Sequence, residues 1–179
     1  MFDSVLSTSN LNLLQHGMLP ENLALPYKLT NLKSIYTFDL LSQNIFISLF
    51  DLSQDVLFYL LESKLCLSKT SYKRSVLIIG QPQSVFYEME ILQYLIKIED
   101  IDMIFIKPHP LYSMEAYKNI KSPKVSVIYD KLYFPEVMVA LNFESTLGLE
   151  YQKIGIPVIS IKDKRKSNVL LEVIEAMKL

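Results

Sequence analysis

Cysteine is almost missing. Cys66 stands alone among 179 residues, so no disulfide framework or thiolate metal site can be assembled within the chain. Between Leu65 and Leu67 it reads as an ordinary buried thiol, and a lone thiol suits a reducing compartment. Net charge is nearly absent too, at −1, which argues against a nucleic-acid binder and against a polybasic membrane patch. No apolar run approaches the ~20 residues that cross a bilayer. Met1-Phe2-Asp3-Ser4 lacks the basic start of a signal peptide. The expectation is a soluble cytoplasmic protein, at most peripheral at the inner face of a membrane. No acidic cluster, internal repeat or low-complexity segment shows, and no metal or cofactor is expected.

Half of the residues are hydrophobic, and they are organised. "SVLIIG" (75–80), "MIFIK" (103–107), "KVSVIY" (124–129), the end of "VMVALNF" (137–143) and "IPVISI" (156–161) are short, β-branched, apolar runs. Helical spacing fills the gaps between them: residues 84 to about 99 with Ser84 as N-cap, a short helix within 113–119, "STLGLEYQKIG" with Ser145 as N-cap and Gly155 as left-handed stop, and 167–177. Strands that are apolar throughout and alternate with helices predict a Rossmann-like parallel sheet covered on both faces over residues 71–179. Residues 1–70 read as a partly helical arm, with a strand in "LLQHG", a loop to about Asn31 and a long helix from about Ser53 to Leu67.

Two histidines occur in the chain, and both sit where an apolar run stops. His109 lies in "IFIKPHPLYS", between Pro108 and Pro110 and after Lys107. His16 lies in "LLQHGMLPEN". In an open parallel sheet, ligands bind at the carboxyl ends of strands. Lys107, His109 and Pro110 occupy one such end, while Ser145 and Thr146 occupy another and lead into a helix. A helix start offers free N–H groups and partial positive charge to a phosphate, and Lys107 and His109 on the neighbouring loop are expected to add charge to it. A Ser-Thr pair in that place is also what a plain helix cap looks like, and Glu150 by default is a solvated helix residue.

"KPHP", followed some thirty-five residues later by "STLGLEYQKIGIPVISI", resembles the nucleotide-binding C-terminal domain of GT-B glycosyltransferases. The pattern is most similar to the bacterial sialyltransferases, polysialyltransferases and CDP-glycerol glycerophosphotransferases. The resemblance implies that His109 with Pro110, and Ser145 with Thr146, hold the phosphate of a CMP- or CDP-linked donor. It places Glu136, in "FPE", near the donor nucleotide. "LLQHGMLP" resembles the segment closing the first domain in these families, and makes His16 the base toward the acceptor hydroxyl. Glu150, with Gly155, Pro157 and Val158, is similar to UDP-sugar 2-epimerases, where the glutamate contacts the ribose. The implied protein is an inverting, metal-independent transferase with a glycan or lipid-linked acceptor, serving surface polysaccharide or lipooligosaccharide synthesis.

Two departures keep other readings open. Most of a first Rossmann-like domain is absent from the sequence, and so is the acidic Asp/Glu-Asp/Glu-Gly motif of the sialyltransferases. One alternative is a non-catalytic nucleotide-binding subunit that completes another chain or self-associates. The other is a UDP-sugar epimerase-like domain.

Overall fold

The computed structural model describes residues 11–15, 31–50, 52, 55–61, 65–110 and 114–178. The chain divides into two compact units, Met1–Ser63 and Lys64–Leu179. Both are α/β, with every strand pairing parallel to its neighbour.

In the first unit, β1 (Leu11–Leu14), β2 (Leu32–Thr37) and β3 (Leu57–Leu60) form a sheet in that order. Helix α1 (Leu40–Phe50) connects β2 to β3. Asp39 caps it, its Oδ1 accepting from the Ser42 N–H at 2.7 Å. Register puts Leu13, Ile35 and Phe58 side by side, and Phe46 and Phe50 of α1 pack with them into one core. The Gln15 side chain closes the end of β1, donating to Ser42 Oγ at 3.0 Å and accepting from the Phe38 N–H at 2.9 Å.

The strand expected in "LLQHG" is present as β1 and pairs with β2, and one expectation is corrected. The helix expected over 53–67 is not formed among its described residues, because 57–60 is the strand β3. Leu52, Val56 and Leu60 recur at helical spacing, but "LFYL" finds a better partner in the exposed edge of β2, where Tyr59 stacks on Tyr36 with centroids 5.0 Å apart. Tertiary pairing overrides local pattern there.

The second unit holds β4 (Ser75–Ile79), β5 (Met103–Lys107), β6 (Val125–Val127), β7 (Val139–Asn142) and β8 (Val158–Ser160), in the order β6-β5-β4-β7-β8. All five expected strands are present. Helices α2 (Val85–Leu95), α3 (Thr146–Lys153) and α4 (Lys166–Ala176) follow β4, β7 and β8, and a 3-10 turn (Met114–Tyr117) follows β5. Alternation along β4 divides the core. Val76 and Ile78 face α2 and α4 with Leu92, Leu95, Val169 and Val173. Leu77 and Ile79 face the other way, onto Tyr151 of α3 and the chain around Val137. This is the doubly covered parallel sheet the sequence predicts.

Cys66 is exposed rather than buried. The segment before β4 is extended, so Leu65 and Leu67 turn into the core while the residue between them points out. Among the described residues, no helix is long and apolar enough to cross a membrane.

Candidate functional site

Strand order reverses direction between β4 and β7. In an open α/β sheet the crevice beyond such a reversal is where ligands sit. Three segments meet that rim: 80–84 after β4, 108–110 after β5 and 143–145 after β7.

The loop after β4 is built on Gly80 and Glu88. A Cβ on Gly80 would meet Tyr117 Oη at 3.0 Å, the Lys107 carbonyl at 3.2 Å and Pro108 Cα at 3.2 Å. The missing side chain at residue 80 therefore lets the chain pass close to the "KPHP" loop, where a Cβ would be tight. Glu88 lies inside the first turn of α2 and is 1% exposed. Its carboxyl accepts from the Gln81 N–H at 2.9 Å, from Tyr117 Oη at 3.1 Å and from the Ser84 hydroxyl. Ser84 thus stands where a cap is expected but caps nothing. Its hydroxyl points back to Glu88.

Burial raises the Glu88 pKa, and the hydrogen bonds from Ser84, Gln81 and Tyr117 oppose that rise. A carboxyl whose pKa is raised by folding favours the folded state most below its unfolded value of about 4.3, and loses that contribution as pH rises through the folded pKa. Glu88→Gln, which cannot ionise, should match the wild type near pH 4 and gain on it toward pH 7. Urea unfolding across that range checks this, and parallel stability curves would contradict it.

At the end of β5, Lys107 spends all three ammonium donors on one loop. Its Nζ donates to the carbonyls of Asp130 at 2.9 Å, Lys131 at 3.2 Å and Tyr133 at 2.8 Å, and lies 4.3 Å from the Phe134 ring centre. Burial lowers its pKa, partly offset by Asp130. The cation expected to meet phosphate instead staples the chain that follows β6. Pro108 is buried, His109 half-buried and Pro110 exposed. A cavity of about 160 Å³ opens here, lined by Lys107, Pro108, Pro110, Tyr129 and Asp130 among others.

At the end of β7, Ser145 takes the expected cap geometry at φ −86° and ψ 141°, its Oγ accepting from the Leu147 N–H at 3.3 Å. Gly155 provides the expected left-handed stop at φ 88°. Glu144 pairs with Lys162, the residue just beyond the end of β8. Sequence reasoning passed over Asn142, the last residue of β7, whose amide bonds to Ser145 on both sides.

The rim therefore brings His109, Pro110, Ser145 and Thr146 to the same edge of the sheet. β4 lies between their strands, which sets β5 and β7 ~10 Å apart. Glu150 lies one turn into α3 on the same side of the sheet as Tyr151. Glu136 is placed elsewhere. It precedes the amino end of β7, opposite to Ser145, and its backbone is tied to Ser68 and Thr70. His16 lies outside the described residues. Among those described, no three His, Cys, Asp or Glu side chains gather as a metal ion would need. No family model matches the chain, and neither does a curated protein or a solved structure.

Proposed function

We propose that the chain is a glycosyltransferase-type protein that uses a CMP- or CDP-activated sugar for surface polysaccharide or lipooligosaccharide synthesis. The observation that carries this reading is the common rim: a histidine between two prolines after β5 and a Ser-Thr helix start after β7, both at carboxyl ends of strands on either side of β4, beside the switch point. An anion there meets the positive end of α3, the Thr146 hydroxyl and the His109 ring. The cavity beside Pro108 and Tyr129 is smaller than the ~300–1,000 Å³ that encloses a whole drug-sized ligand, so it suits one planar ring of the nucleotide. Lys107 serves by holding the far wall of that cavity.

In the reaction, an acceptor hydroxyl attacks the anomeric carbon, its proton passing to a base for which His16 is the candidate. The bond from that carbon to the donor phosphate oxygen breaks, and the nucleotide leaves with its charge stabilised at the rim. Attack opposite the leaving group inverts the anomeric centre. A thermal-shift screen of CMP, CDP, UDP and their sugars tests the donor class. Cytidine nucleotides should raise the melting temperature, and a response to UDP-sugars alone would favour the epimerase-like reading.

A partner-dependent subunit is favoured by one further observation. On the face of the three-stranded sheet away from α1, Leu14 is 63%, Leu57 58% and Tyr59 44% exposed, whereas parallel sheets normally have both faces covered. Light scattering should then report self-association or a need for a second chain, and a well-behaved monomer that transfers sugar by itself would remove this reading.

A further inference from the structure

We infer that Asn142 is a positioning residue for the phosphate site, locked against Gly148 so that Ser145 and the start of α3 are set before any ligand arrives. The inference rests on the donor reading above.

Asn142 is 7% exposed at the end of β7, the strand that flanks the switch point. Both polar atoms of its side chain are spent on one residue: Oδ1 accepts from the Ser145 N–H at 2.9 Å, and Nδ2 donates to the Ser145 carbonyl at 3.0 Å. Only Phe143 and Glu144 separate the two residues, so a core strand closes the loop with a side chain and holds Ser145 on both sides. Ser145 passes the constraint on, because its Oγ accepts from the Leu147 N–H.

Gly148 completes the lock. It is buried in the first turn of an eight-residue helix, where glycine is a poor helix former. A Cβ at this position would overlap the Asn142 amide. Its missing side chain is therefore the space the amide occupies, and α3 lies flush on Asn142. Anion sites made of N–H groups and hydroxyls act through pre-set geometry, and misplacement on the ångström scale is enough to weaken them. Asn142 touches no ligand in this scheme and acts through Ser145.

The test uses the full chain with CDP as probe, and amide hydrogen exchange at Ser145 as the ligand-free readout. Asn142→Ala and Gly148→Ala each leave His109, Ser145 and Thr146 in place. Both should speed Ser145 exchange at least tenfold and weaken CDP binding at least tenfold. The double variant should bind no worse than Asn142→Ala, because the amide that the new Cβ strikes is gone. Asn142→Ser, which keeps an acceptor, replaces Asn142→Ala if that chain does not fold. Folded variants that bind CDP as the wild type does would overturn the inference, showing a purely structural amide. A wild-type chain that takes up no CDP overturns the donor reading instead. The phosphate role of Asn142 falls with it, and exchange then reports only whether the amide holds the start of α3: faster in both variants leaves a structural lock, unchanged removes that as well.

Discussion

Tyr151→Ala should lower the stability of the chain by about 3–5 kcal/mol, the scale of deleting a large buried aromatic. Tyr151 is 0% exposed and packs with Leu77, Ile79, Phe105 and Ala140 on one face of the five-stranded sheet. Its hydroxyl donates to the Pro135 carbonyl at 3.0 Å, and burial, with a smaller contribution from Tyr133, pushes its pKa well above the ordinary tyrosine range. It therefore stays a neutral donor at any ordinary pH. Tyr151→Phe isolates that bond and should cost about 1–2 kcal/mol, because the buried Pro135 carbonyl loses its side-chain partner. Urea midpoints for both variants check this. A loss under about 1 kcal/mol for the alanine variant would mean that α3 is not seated on the sheet as described, and the site would lose its foundation with it.

His109→Ala should weaken CMP or CDP binding by about 1–3 kcal/mol, the size of a lost charge-assisted hydrogen bond. That is roughly a five- to 150-fold rise in Kd. The ring is half-buried between Pro108 and Pro110, and Gly80 brings the neighbouring loop against that segment, so truncation removes a group from a shaped wall. Calorimetry on folded variant protein reads the effect. An affinity equal to that of the wild type would leave His109 as an ordinary loop residue.

The parts of the fold that were legible in the sequence are those where local pattern and tertiary demand agree. "SVLIIG" and "MIFIK" are apolar on both faces between their ends, from Val76 to Ile79 and from Met103 to Ile106, because both faces of a parallel sheet are covered, and they became β4 and β5. Ser145 and Gly155 bracket α3 because cap and stop chemistry is local. Residues 53–67 misled because their helical spacing is equally satisfied by a strand, and the choice depends on an edge of β2 that is distant in sequence. Of the site, the histidine and hydroxyl motifs could be read directly. The fate of Lys107 could not, since its three acceptors lie more than twenty residues away. Nor could Glu88 and Asn142, polar residues whose burial is a property of packing. The one available signal was Gly148, a glycine inside an otherwise good helix.

The central claim is that a cytidine nucleotide places its phosphate at the start of α3, across the rim from His109. Mapping amide resonances during a CDP titration tests it most directly. The account predicts saturable shifts concentrated at Ser145, Thr146, Leu147 and His109, with little movement in Glu136 at the opposite end of β7. Shifts that gather away from this rim, or a spectrum unchanged at millimolar CDP, would contradict it.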